Sequence, residues 1–306
     1  MTISKSKRKI YFIVGQTSSG KTSLSIELAK KIGNAEIVSA DSRQIYKDLN
    51  ISSGKVTRKE MENIPHHLLD VVEPGKYFSV VDYTKLALEK IEEIYGRKNI
   101  PIICGGTGFY IDSLLYKYNL PETEKDEKLR EFLAQKNSEE LFLILKKSLL
   151  NNFSKKIKYF FFGNKILKKY ENKEFKNNKH RIIRAVEIVK HFGYLPKIQK
   201  IKRFPESEYD LEIIFTNVDR KSLKEKIYKR LIERMNLGMI EEIKNVKEKY
   251  NLTFEYLENL GLEFKWVSKF LQNKISEKEL TENLNKEIYQ YARRQETWFK
   301  RYKNYR

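Results

Sequence analysis

An apolar run, Ile10-Tyr11-Phe12-Ile13-Val14, feeds directly into Gly15-Gln16-Thr17-Ser18-Ser19-Gly20-Lys21-Thr22, and residues 23–32 behind it carry amphipathic helical spacing. The octapeptide fits G-x-x-x-x-G-K-[ST] at every fixed position, and a strand before with a helix behind is the setting in which that pattern has a physical meaning. The glycines let successive backbone N–H groups turn inward around an anion, and the helix N-terminus adds positive potential. Lys21 supplies a full charge for phosphate oxygens, and Thr22 offers a hydroxyl suited to Mg2+. All eight residues, 15–22, are therefore predicted phosphate contacts, with Thr22 the candidate metal ligand.

Such a strand–loop–helix unit belongs in a parallel sheet. Residues 36–40 read as a second strand, 80–95 as a helix, 100–104 as a third strand, and 108–116 as the helix after it. Residues 209–216 read as a returning strand, and 222–250 as one long helix or a pair broken near Gly238. Strands separated by helices predict an α/β fold with a parallel core sheet flanked by helices. Ligands on such sheets lie beyond the carboxyl ends of the strands, where residues 15–22, 41–44 and 105–107 all fall.

The charge is uneven. The chain holds 61 Lys and Arg against 41 Asp and Glu, but 18 of those bases and only three acids lie between positions 141 and 203. Fifteen of the twenty net positive charges thus sit in one stretch, which points to a polyanionic partner, nucleic acid above all. The helical character and basicity of residues 121–204 suggest an insertion into a core made of residues 1–120 and 205–306. One cysteine, Cys104, rules out a disulfide framework and a cysteine-based zinc site. No apolar run approaches a membrane span, so a cytoplasmic protein without a membrane partner is expected, acting as a monomer. His66 and His67 lack metal-pair spacing and read as part of a loop near the crevice.

Asp41 closes the second strand in Ser39-Ala40-Asp41-Ser42-Arg43-Gln44, where a carboxylate can accept a proton from a nucleophile or hold metal. The third strand ends in Gly105-Gly106-Thr107-Gly108 with no acid, whereas a hydrolysing phosphate-loop protein needs a carboxylate at an equivalent place. Thr107 instead presents a hydroxyl to a leaving group. Four readings stand at this point: a transferase acting on RNA, a small-molecule kinase, a prenylating enzyme for free adenine nucleotides, and an RNA-binding protein with a vestigial loop.

The motifs, taken in order, carry a resemblance. The phosphate loop, Asp41-Ser42-Arg43-Gln44-Ile45-Tyr46, Ile64-Pro65-His66-His67-Leu68-Leu69-Asp70, Gly105-Gly106-Thr107-Gly108-Phe109-Tyr110, His180-Arg181-Ile182-Ile183-Arg184-Ala185-Val186-Glu187 and Tyr291-Ala292-Arg293-Arg294-Gln295-Glu296-Thr297-Trp298-Phe299 resemble the successive motifs of bacterial tRNA dimethylallyltransferases. The resemblance implies that the loop holds the pyrophosphate of dimethylallyl diphosphate, with Mg2+ on Thr22. It implies that N6 of the adenosine 3′ to a tRNA anticodon attacks the allylic carbon. Asp41 then falls on the general base, Thr107 on the hydroxyl at the pyrophosphate, and Arg130 and Arg220 on arginines of the reaction channel. Asp41, Ser42, Arg43, Gln44 and Lys55, with His180, Arg181, Ile182, Ile183 and Arg184, fall on tRNA contacts. The chain departs from the family pattern at Asn50-Ile51-Ser52-Ser53-Gly54-Lys55-Val56, where D-I-G-T-A-K-P is usual, and at Leu260-Gly261-Leu262, where I-G-Y is usual.

Overall fold

A computed structural model of the chain describes residues 6–118, 126–151, 175, 178–196, 200–303 and 305. Five parallel strands make the main sheet, in the order β3-β2-β4-β1-β7. They are β1 (Arg8–Gly15), β2 (Ala35–Ser39), β3 (His66–His67), β4 (Ile100–Gly105) and β7 (Tyr209–Thr216). Three of these are the strands expected before residue 105, and β7 is the expected returning strand, paired along its whole length with β1 from Arg8↔Tyr209 to Gly15↔Thr216. His66 and His67, read as loop, instead form a two-residue strand on β2, with Ile37 opposite His66. Two residues are too few to show a period of two.

The sheet is covered on both faces, which is why its strands read as nearly continuous apolar runs. Ile13, Ile37 and Ile102 point to one side and meet Ile26 and Ala29 of α1 (Lys21–Ile32). Phe12, Val14, Val38 and Ile103 point to the other, against α3 (Val80–Gly96) and α4 (Gly108–Leu115) and the C-terminal helices. Between β2 and β3 lies a single turn, α2 (Arg58–Met61), and α3 begins at a capping box in which the Ser79 and Asp82 side chains each bond the other's backbone N–H.

By compactness the chain divides into two units, Met1–Lys117 with Lys202–Arg306, and Tyr118–Ile201. A short ladder of β5 (Tyr116–Tyr118) and β6 (Lys200–Lys202) forms where the chain passes from one to the other. The described helices of the second unit are α5 (Glu127–Ala134), α6 (Ser138–Asn151) and α7 (Lys179–Phe192). They bury a core of their own, including Leu133, Leu141, Leu145, Ile182, Val186 and Val189. Lys155, Lys156, Lys168 and Lys169 of the basic stretch lie outside the described residues.

After β7 the first unit continues through α8 (Arg220–Asn236) and α9 (Met239–Lys249), a helix pair separated at Gly238, whose φ of 94° suits glycine. α10 (Phe254–Leu260), α11 (Leu262–Leu271) and the long α12 (Glu277–Phe299) complete it. Among the described residues no helix is long and apolar enough to cross a membrane.

Candidate active site at the carboxyl ends of the strands

Because every strand of the main sheet runs the same way, the segments leaving β1, β2 and β4 emerge on one edge, and there they line a cavity of about 1060 Å³. Residues 17–22 of the phosphate loop, Asp41, Gly105 and Gly106 border it, together with Arg230 and Arg234 of α8 and Tyr291 and Gln295 of α12. The loop takes the shape its glycines permit. Gly15 lies against Thr216 so closely that a Cβ would strike its hydroxyl, and Gly20 turns at φ 85° to start α1. Ser19 Oγ donates to Gln16 O (2.6 Å) and shares a hydrogen bond with Thr216 Oγ1 (2.5 Å), fixing the loop to the end of β7.

Lys21 Nζ donates to Gln16 O at 2.6 Å, so its ammonium is held within the loop. Removal from water pulls its pKa down to about 8, against which the neighbouring Cys104 and Asp41 push upward. Bringing an anion alongside would favour the charged form. Thr22 is exposed at the head of α1 and borders the cavity. Among the described residues no three His, Cys, Asp or Glu side chains gather as a metal site. One hydroxyl with room beside it fits Mg2+, which takes few protein ligands and completes its octahedron with phosphate oxygens and water.

Asp41 is half-buried at the border of the cavity, and its Oδ1 accepts from Arg43 N at 2.8 Å, a local turn that ties down one oxygen of the carboxylate. Ser42 N donates to Thr107 Oγ1 (3.0 Å), and Thr107 Oγ1 donates to Ser42 Oγ (3.3 Å). The Thr107 hydroxyl, expected at the leaving group, is thus turned to the Asp41 turn and joins the ends of β2 and β4. Gln44 Nε2 donates to Gly54 O (3.2 Å), and Arg43 lies over Gly261, where a Cβ would come 2.9 Å from Nε. Tyr291 borders the same space, its phenol pushed up to about 12 by burial and by the Asp41 charge.

Arg220 does not line the cavity. It is exposed in the first turn of α8, with Glu296 in its field, and the arginines of that helix that line the cavity are Arg230, in the field of Lys21, and Arg234. Lys226, Lys229, Arg230, Glu233 and Arg234 line the cavity at helical spacing, on the flank of the buried stripe of Leu223, Ile227 and Leu231. That stripe was the available signal. Arg230 Nη2 donates to Gly54 O (3.1 Å) and rests so close on Gly54 that any side chain there would collide with it. The loop it leans on is held from below: Glu242 of α9 accepts from the N–H groups of Asn50, Ile51 and Ser52 and from Ser52 Oγ (2.6–2.9 Å). Ser52 stands where the family pattern has glycine, and its hydroxyl adds a fourth bond to that carboxylate.

Lys55 departs from expectation. Its side chain is 5% exposed, with Nζ donating to Tyr46 O (2.8 Å) and paired with Asp70 (2.5 Å), so its ammonium is spent inside the protein. In the second unit, Arg130 is likewise engaged: Nε and Nη2 donate to the two oxygens of Glu187 (2.6 and 2.8 Å), and Arg184 Nη1 reaches the same carboxylate (3.3 Å). Ile182 is fully buried, and Ile183 packs part of its side chain on the same core. His180 and Arg181 are exposed on the first turn of α7.

A family model described as IPP transferase matches residues 44–302. A tRNA dimethylallyltransferase 2 of Treponema denticola is 38% identical over 296 residues, covering 96% of this chain and 92% of that protein. A tRNA dimethylallyltransferase of Finegoldia magna is 38% identical over 301 residues, covering 96% and 88%. Among solved structures, the full-length tRNA isopentenylpyrophosphate transferase of Bacillus halodurans superposes with a TM-score of 0.65 at 29% identity, covering 96% of this chain and 87% of its own. A eukaryotic dimethylallyltransferase described as acting on tRNA superposes with a TM-score of 0.73 at 25% identity, covering 95% and 70%. With the phosphate loop, the Asp41-bearing strand end and the acid-free end of β4 all present, the chain belongs to the IPP transferase family.

Proposed function

We propose that this protein is a tRNA dimethylallyltransferase: it transfers the dimethylallyl group of dimethylallyl diphosphate to N6 of the adenosine on the 3′ side of a tRNA anticodon. The observation that supports this most directly is a cavity in which a phosphate loop meets a carboxylate from the neighbouring strand end, Asp41, while the adjoining strand end at Gly105 and Gly106 brings none. A carboxylate at one strand end and none at the other suits a reaction in which a proton must be removed and no hydrolytic water positioned.

The diphosphate is cradled by the N–H groups of residues 18–22 and by Lys21, with Arg230 closing the cavity from α8. The flipped adenine presents its amino group to Asp41. As the N6–C1 bond forms, the C1–O bond breaks; the electron pair leaves with pyrophosphate, and Asp41 receives the N6 proton. Lys21 and Arg230 stabilise the charge that grows on the leaving group. Thr22 would hold Mg2+, which when bound supplies further neutralisation of the diphosphate. Thr107 acts through Ser42, keeping the Asp41 turn against the end of β4. His180 and Arg181, with the surrounding basic stretch, contact the tRNA backbone.

The experiment is a transfer assay with labelled dimethylallyl diphosphate and unmodified tRNA, AMP or ATP in separate reactions. Label is expected in the tRNA alone, and only where adenosine follows the anticodon. Transfer to AMP or ATP, or phosphate release from ATP at a comparable rate, would overturn the reading in favour of a nucleotide prenyltransferase or a kinase.

A further inference from the structure

Gln295 sits on α12, far along the chain from the phosphate loop, yet its amide is shared between that loop and the end of β4. Oε1 accepts from Thr17 N at 2.8 Å, and Nε2 donates to Gly106 O at 2.8 Å. The side chain is 5% exposed and borders the cavity. The fit on the Gly106 side is close, since a Cβ there would lie 2.5 Å from Nε2. Three residues on, Trp298 packs on Gly108 in the same manner, with a Cβ again 2.5 Å from the indole. α12 is therefore seated against both loops by residues of matching shape.

The amide also changes what the phosphate loop can offer. Among the described residues, the N–H groups of Ser18, Ser19, Gly20, Lys21 and Thr22 have no protein acceptor and are available to an anion, whereas that of Thr17 is already taken. At the Thr17 end of the cradle a guest would meet the Gln295 carbonyl oxygen, whose lone pairs repel phosphate oxygens, in place of a donor. We propose that Gln295 is a positioning residue that sets the polyphosphate length the loop accepts, by closing off the Thr17 N–H and filling the space beside it. This rests on the reading that the loop holds a diphosphate.

The test compares binding of inorganic pyrophosphate and of tripolyphosphate, with Mg2+, to the full chain by calorimetry. The unaltered protein is expected to prefer pyrophosphate. Gln295→Ala frees the Thr17 N–H and removes the opposing oxygen, so the tripolyphosphate-to-pyrophosphate affinity ratio should rise about tenfold. Gly106→Ala, which leaves Gln295 in place but displaces its amide, should move the ratio the same way, and the double variant should go no further than Gln295→Ala. A ratio unchanged in Gln295→Ala while pyrophosphate still binds would overturn the inference and leave the diphosphate reading standing. Failure of the unaltered protein to bind pyrophosphate would overturn both. If Gln295→Ala does not fold, the Gly106→Ala ratio decides: a rise supports the role, and no change refutes it.

Discussion

Asp41 and Arg230 reach the cavity by different routes, and the contrast says what each does. Asp41 is placed by a short turn immediately beyond β2, with one oxygen tied to Arg43 N. On the proposed function, its replacement removes the proton acceptor together with the bond to Arg43 N. Asp41→Ala is expected to lower single-turnover transfer by about 10²–10⁴-fold with tRNA binding close to unaltered, measured by filter retention. A drop within tenfold would be too small for a general base. Arg230 is placed by a helix and by the loop beneath its guanidinium, and burial, with Arg234 alongside, draws it below its ordinary value while leaving it charged. Arg230→Ala should raise the Kd for pyrophosphate about 10–100-fold, the worth of a charged hydrogen bond in a sheltered site. Arg220→Ala, on the exposed first turn of the same helix, should leave that Kd nearly unchanged. Reversed results would place the anion at the other end of α8.

At the scale of elements, the sheet edge is held by a charged cluster outside the cavity. Glu36 of β2 is 3% exposed and accepts from Arg97 Nε and Nη2 (2.9 and 2.8 Å) and Asn99 Nδ2 (2.7 Å), and bonds His67 Nε2 of β3 (2.6 Å). The Arg97 bonds hold its carboxyl down to about 2 against the opposing effect of burial. A carboxylate whose pKa is depressed by folding contributes fully above its unfolded value and loses that contribution as pH falls through the folded one. Glu36→Gln should therefore cost on the order of 2–3 kcal/mol at neutral pH, and the gap from the unaltered protein should close between about pH 4.5 and 2, followed by urea unfolding. The parts legible from sequence were those with a period or a fixed spacing: β1 and its loop, β4, β7, and the break at Gly238. β3 escaped because two residues carry no alternation, and Lys55 and Arg130 because an inward ion pair with Asp70 or Glu187 depends on partners 15 and 57 positions away. Arg220 was assigned by the family resemblance alone, and Arg230, which lines the cavity from the same helix, was not among the expected residues.

For the molecule as a whole, charge and fold divide the work. Fifteen of the twenty net positive charges lie between positions 141 and 203, where only three acids occur. Replacing Lys155, Lys156, Lys168 and Lys169 with Gln should weaken tRNA binding and flatten the dependence of log affinity on log salt by about one unit for each phosphate no longer neutralised, with pyrophosphate binding unaffected. An unaltered salt slope would assign that charge to composition alone. The first unit, in turn, draws its sheet from both halves of the chain, since β7 pairs with β1 across a separation of 201 positions. This order has a consequence for synthesis. At about 5–20 residues per second, Tyr209 is made roughly 10–40 s after Gly15, and until then one edge of β1 has no partner. The nascent chain thus carries an open strand edge on β1 while the 194 residues from Gly15 to Tyr209 are made, and its phosphate loop gains the Gln295 contact only 79 residues after Thr216 closes that edge.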